Sequence, residues 1–263
     1  IAPNNVSYLN SVLSLIAVAL GAGAAGTLNM WYESDLDALM TRTCLRPIPT
    51  GQVTKNQALF FGILLSIGSI SLLYYSSNLI SASLLLLTIC FYFFIYTVWL
   101  KRRTPQNIVI GGAAGALPPV IGWTIATGSL TIEPFILFLI IFLWTPSHFW
   151  ALSIYKSNDY KKAKIPMLPI IYGIEKTKKN IFIYSLLMLP TISAPYFISF
   201  LSKIYFYPAL ALTIYYIYLC GTLLKVKKNK EINTLARRIF LYSIFYLFII
   251  FLLILSDHFF MRL

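Results

Sequence analysis

The sequence predicts an all-α membrane protein, a polytopic bundle of transmembrane helices. Three observations carry this prediction. Hydrophobic residues make up 59% of the 263 and charged residues only 11%, whereas soluble domains are about a quarter charged. Eight apolar runs approach the ~20 residues that a helix needs to cross a bilayer. Lysine and arginine, finally, are confined to alternate gaps between those runs, the pattern that sets membrane topology. Mean hydropathy is accordingly high, at +0.77.

In order, the runs cover residues 7–28, 56–76, 79–100, 108–127, 133–154, 180–201, 204–224 and 238–257. The gaps 29–55, 101–107, 155–179 and 225–238 hold 19 of the 21 Lys and Arg; the others hold Lys203 and, at the end, Arg262. The basic gaps are therefore expected to face the cytoplasm or the mitochondrial matrix. The start of the chain, IAPNNVSY, then lies on the opposite side with no basic residue before the first span. An upstream span with a basic leader would account for this and for the initial Ile, so nine spans are expected in the full protein, as a single transmembrane domain. Compact loops and the absence of a visible leader favour a bacterial inner membrane over a mitochondrial one.

Within the spans, GAGAAG (Gly21–Gly26) and GGAAGALPPVIGW (Gly111–Trp123) are rich in small residues. These allow close helix packing, and the paired prolines bend the second stretch. The net charge of +13 does not point to nucleic acid, because the cations lie in short gaps rather than on one face. Cys44, Cys90 and Cys220 have neither metal-ligand nor disulfide spacing. Motifs of serine hydrolases, P-loop ATPases and zinc proteases are absent.

Three polar constellations stand out. The first is NMWYESDLDALMTRTCLRPIP, residues 29–49, where three of the chain's eight acids fall within five positions. If the first span continues as a helix, Asn29, Glu33 and Asp37 recur every four residues and share a face, with about 40° of drift per step. Asp35 points elsewhere. An amide and two carboxylates are hard oxygen ligands suited to Mg²⁺ completed by substrate phosphates. Arg42 and Arg46 follow at once, as cations for an anion would. The plain alternative is a solvated loop that caps a helix, but Asn29 sits at the membrane boundary, where polar groups tend to be functional.

The second is WTPSHFWALSIYKSNDYKKAKIPMLP, residues 144–169. On a continuous helix His148, Tyr155, Asp159 and Lys162 fall within about 40° of one another, though Pro146 can shift that register. Alone, a histidine such as His148 is more often a hydrogen-bonded packing residue than a ligand, and the four-residue alignment is what favours a functional reading. The third is LKRRTPQN, residues 100–107, whose Lys101, Arg102 and Arg103 anchor topology and can also hold a diphosphate or carboxylates.

The Asn29, Glu33, Asp37 column resembles the first Asn/Asp-rich motif of the UbiA-type intramembrane prenyltransferases. With YTVWLKRRTPQNIVIGGAAGALPPVIGW and FLWTPSHFWALSIYKSNDYKKAKIPMLP, it is similar to the haem-farnesylating branch of that family. The similarity is dense from Gly21 to Pro169 and weaker through the last three spans. The resemblance implies a ring of nine helices around a central cavity, with acidic motifs facing each other at the cytoplasmic end. It implies transfer of farnesyl from farnesyl diphosphate to a vinyl group of haem B, giving haem O, by Mg²⁺-assisted ionisation of the diphosphate. It also implies roles. Asn29, Glu33 and Asp37 bind the Mg²⁺–diphosphate and Asp159 completes the metal site. Arg42, Arg46, Lys101, Arg102, Arg103, Lys156 and Lys162 serve the diphosphate or the haem propionates. His148 and Tyr155 contact substrate. A haem A synthase or a terminal oxidase is the implied partner.

Two departures matter. Glu33 stands where the family usually has Asp, and the second motif has one acid, Asp159, where quinone-pathway relatives have two or more, which questions a second tightly held Mg²⁺. A UbiA-type enzyme acting on an aromatic or quinone precursor is the alternative. A transporter, which predicts paired repeats with broken helices at mid-membrane, is a further one, but no internal repeat is evident.

Overall fold

The computed structural model describes residues 7–260, and among these it contains helices and no strand. Eight helices are long and apolar enough to cross a membrane, in the positions that the apolar runs predict. They are α1 (Tyr8–Tyr32), α2 (Lys55–Ser76), α3 (Leu79–Leu100), α4 (Asn107–Thr127), α5 (Ile132–Tyr155), α6 (Gly173–Phe197), α7 (Lys203–Lys225) and α8 (Asn229–Phe260). Short helices Ser34–Asp37, Ser157–Lys162 and Leu168–Ile171 occupy the gaps. The expected upstream span, the peptide IAPNNV and Arg262 fall outside the described residues.

α6 and α8 begin earlier than their apolar runs, because charged residues of good helix propensity carry the helix past the greasy segment. Lys178 shows how one is accommodated. Its buried ammonium donates to Glu175 Oε1 (2.6 Å) and to the Val226 carbonyl (2.7 Å) at the end of α7, satisfying a carbonyl that the helix end leaves open.

The chain divides into two compact units, one of residues 2–134 with 158–166, the other of residues 135–157 with 167–263. In the first, α1 packs most extensively on α2, around a core that includes Ala17, Leu28, Leu73, Leu85, Ile89 and Ile121. Thr54 and Gln57 form a capping box that starts α2. Asn78 caps α3 and also donates to the Thr124 carbonyl of α4 (2.8 Å). α4 is broken at Leu117, ahead of Pro118.

The second half of α3, Phe91–Leu100, is wound as a π-helix, with bonds reaching back five residues instead of four. The Lys101 N–H accordingly bonds to the Tyr96 carbonyl at 2.9 Å. Gly111 of α4 lies against this wide turn: a Cβ there would stand 2.2 Å from a ring carbon of Tyr96. Part of the small-residue stripe is therefore required for close approach.

In the second unit, buried hydroxyls pair across the helices. Ser147 meets Tyr216 (2.7 Å) and Thr213 meets Tyr246 (2.9 Å). Asp257 of α8, almost fully buried, caps α7 by accepting from the N–H groups of Ser202 (2.9 Å) and Tyr205 (3.1 Å) and from the Ser202 hydroxyl. Each of these polar groups has a partner, as burial in an apolar medium requires.

Candidate active site

α1 runs to Tyr32, and Glu33 leaves the helix with φ −100° and ψ 14°. The four-residue spacing nevertheless survives the break. The Glu33 N–H bonds to the Asn29 carbonyl (2.9 Å) and the Asp37 N–H to the Glu33 carbonyl (2.8 Å). Asn29, Glu33 and Asp37 are exposed by only 5%, 1% and 4%, which excludes the solvated-loop reading. Asp35 points away, as expected. It is held by both terminal nitrogens of Arg102 at 2.8 and 3.0 Å. That hydrogen bonding lowers the Asp35 pKa below the usual carboxylate range and raises that of Arg102.

Each buried acid has a cation of its own. The Lys101 ammonium donates to Glu33 Oε2, and Arg46 donates to Asp37 Oδ2 at 2.8 Å. Asn29 Nδ2 donates to the same Glu33 oxygen at 2.8 Å and to the Thr97 hydroxyl at 3.1 Å. Glu33 Oε1 is buried with no hydrogen-bond partner. An orphaned carboxylate oxygen beside an amide and a second carboxylate is a donor set that suits Mg²⁺.

The predicted second column does not form as a single helix. α5 ends at Tyr155, and a new helix starts at Ser157, so the common face expected for His148, Tyr155, Asp159 and Lys162 is interrupted at Lys156. Asp159, half-buried, accepts a 2.7 Å hydrogen bond from Thr41. Burial raises the pKa of its neighbour Tyr160, while Arg42 and Lys101 are close enough to oppose that shift. Segment 158–166 thus lies by the loop that follows α1. Among the described residues, no three Asp, Glu, His or Cys side chains gather closely enough to hold a metal. Glu33, Asp37 and Asp159 therefore do not converge while the first two are paired with cations.

His148 is in the other unit. Its Nδ1 lies 2.6 Å from the Ser243 hydroxyl, and its ring is stacked between Trp144 and Phe240. Tyr155 contacts Phe240 and lies beneath the Lys156 ammonium. Arg42, Arg103, Lys156 and Lys162 are exposed. Thr41 and Thr97 were not among the expected site residues. Thr41 extends the spacing of Asn29, Glu33 and Asp37 by one more step of four, a signal present in the sequence. Thr97 is placed by the π-turn, which no α-helical periodicity reveals.

Above the acids, an apolar cavity of about 300 Å³ lies among α1, α3 and α4, with Gly21, Ala25, Ile89, Tyr92, Ala114 and Ile121 in its wall. Gly21 and Ala25 precede Asn29 by eight and four residues, which places them about 12 and 6 Å back along α1.

Eight membrane-length helices, an apolar cavity on α1 and, nearer the end of the same helix, buried oxygen ligands paired with cations are the features of an integral membrane enzyme for lipid-tailed anionic substrates. The chain belongs to the UbiA prenyltransferase family, whose model matches residues 1–255. It is 65% identical to a protein named Protoheme IX farnesyltransferase from Pelagibacter ubique, over 97% of this chain and 84% of that relative. A structure of digeranylgeranylglyceryl phosphate synthase superposes with a TM-score of 0.78 at 20% identity, over 96% of this chain and 87% of that one. A UbiA homolog from Archaeoglobus fulgidus, solved bound to GPP and Mg²⁺, gives 0.65 at 19% identity, over 97% and 90% of the two chains. These likenesses establish the fold as that of the family.

Proposed function

We propose that this chain transfers the farnesyl group of farnesyl diphosphate to a vinyl group of haem B, with addition of water, to give haem O. The observation that carries the chemistry is the buried Asn29, Glu33, Asp37 column with Glu33 Oε1 unpartnered and Lys101 and Arg46 beside it. The branch-specific part of the reading is supported by the 65% identity to the Pelagibacter protein. The family match spans both compact units, which supports reading them as one prenyltransferase domain.

Asn29, Glu33 and Asp37 would hold Mg²⁺, with Asp159 supplying a further oxygen. Bound there, the metal supplies Lewis-acid neutralisation of the leaving diphosphate. Lys101 and Arg46 exchange their carboxylate partners for diphosphate oxygens and steady the charge that develops as the C–O bond breaks. Arg42, Arg102, Arg103, Lys156 and Lys162 remain for the diphosphate or the haem propionates. The cavity along Gly21 and Ala25 receives the farnesyl chain, and its apolar wall keeps water from the allylic cation until the vinyl carbon attacks. Aromatic faces such as Tyr92 stabilise that cation. His148 and Tyr155 serve as haem contacts. The basic gaps face the cytoplasm of a bacterial inner membrane, and haem O passes to a haem A synthase or an oxidase.

Membranes containing the protein, incubated with farnesyl diphosphate and haem B, should release diphosphate and yield a haem heavier by one farnesyl and one hydroxyl group. Absence of that product, with a quinone precursor prenylated instead, overturns the assignment.

A further inference from the structure

The hydrogen bonds around Asn29 determine which way its amide faces. Glu33 Oε2 can only accept, so the Asn29 atom 2.8 Å away is the nitrogen. Thr97 lies 3.1 Å from that same nitrogen, and the Thr97 hydroxyl donates its proton to the Tyr92 carbonyl at 2.9 Å. Its oxygen is therefore an acceptor toward Asn29. Both amide hydrogens are thereby committed, one to Glu33 and one to Thr97, and Oδ1 lies on the other side of the amide carbon.

The Thr97 bond depends on the π-turn. A threonine in an α-helix bonds to the carbonyl three or four residues back, whereas Thr97 reaches five back. Thr97 is completely buried, and a hydroxyl in such a place is costly unless fully bonded. No α-helical rule of spacing brings it to Asn29, 68 residues earlier in the chain.

We infer that Thr97 is a positioning residue that fixes the Asn29 amide with Oδ1 presented to the metal–diphosphate site. The inference rests on the reading of Asn29, Glu33 and Asp37 as that site. Thr97 acts on the ligand by holding Asn29 against rotation about its terminal bond, as partners behind metal ligands generally do, where their loss costs about 10- to 100-fold in metal affinity.

The test is a titration of the full chain in lipid nanodiscs with Mg²⁺ at fixed inorganic diphosphate, read as the rise in unfolding temperature. Thr97→Val should raise the Mg²⁺ midpoint about tenfold, and Thr97→Ser should restore it. In an Asn29→Ala background, Thr97→Val should add nothing. A wild-type midpoint in Thr97→Val, with a lost response in Asp37→Asn, overturns the role of Thr97 alone. An unchanged midpoint in Asp37→Asn overturns the metal site and this inference with it. If Thr97→Val does not fold, Thr97→Ala takes its place in the same comparison, with the same outcomes.

Discussion

Thr41 donates a 2.7 Å hydrogen bond to the carboxylate of Asp159, joining positions 118 residues apart. It connects the loop after α1 to the short helix after α5, the two segments in which the sequence resemblance puts the acidic motifs. Both partners belong to the same compact unit, so the second motif is tied to the first whatever lies between them in the chain.

Asp37 pairs with Arg46 at 2.8 Å and is buried. On the proposed reading Asp37→Asn removes a metal oxygen, and it leaves Arg46 without its carboxylate. Turnover should fall at least about a hundredfold, the scale on which removing one preorganised charge-stabilising group acts, while haem binding is retained. Steady-state haem O formation and a haem titration of the same membranes check the two halves.

Lys101 faces a Glu33 side chain that is 1% exposed. Lys101→Met strands that charge in the membrane boundary, which should cost about 3–5 kcal/mol of stability. Lys101→Arg should recover most of it. Denaturant unfolding in a fixed detergent distinguishes these outcomes from a purely catalytic effect.

Asp35 has a pKa lowered chiefly by hydrogen bonding to Arg102. A depressed folded-state value means that the pair contributes fully above the ordinary carboxylate pKa of about 4 and is lost as pH falls through the lower, folded value. The difference in melting temperature between the wild type and Asp35→Asn should be constant near neutrality and close under acid. A gap that widens on acidification contradicts the pairing.

Gly111 is pressed on Tyr96, whereas Gly23 has nothing within 4 Å of where a Cβ would stand. Gly111→Ala should therefore destabilise by about 1–3 kcal/mol through overpacking. Gly23→Ala should be neutral or gain up to about 1 kcal/mol in helix propensity. Thermal unfolding of the two variants side by side reads the contrast.

Much of this was legible in the chain. Apolar length alone placed eight helices, because a bilayer imposes a minimum span that few other folds need. The four-residue spacing of Asn29, Glu33 and Asp37 survived a helix break, since backbone bonds at Glu33 and Asp37 continue the pattern. Tertiary forces decided the rest. Glu33 and Asp37 pair with Lys101 and Arg46 rather than gathering with Asp159, and a spacing rule says nothing about which charges pair. The interruption at Lys156 broke the column drawn from His148 to Lys162, and the π-turn that delivers Thr97 departs from the period on which helical readings rest.

The most direct measurement is the structure of the protein with Mg²⁺ and a non-hydrolysable farnesyl diphosphate analogue. The account predicts metal on Glu33 Oε1 and Asp37, Lys101 and Arg46 turned onto the diphosphate, and the farnesyl chain along Gly21 and Ala25. A metal bound away from Glu33 and Asp37, with both of their ion pairs intact in the loaded enzyme, would contradict it.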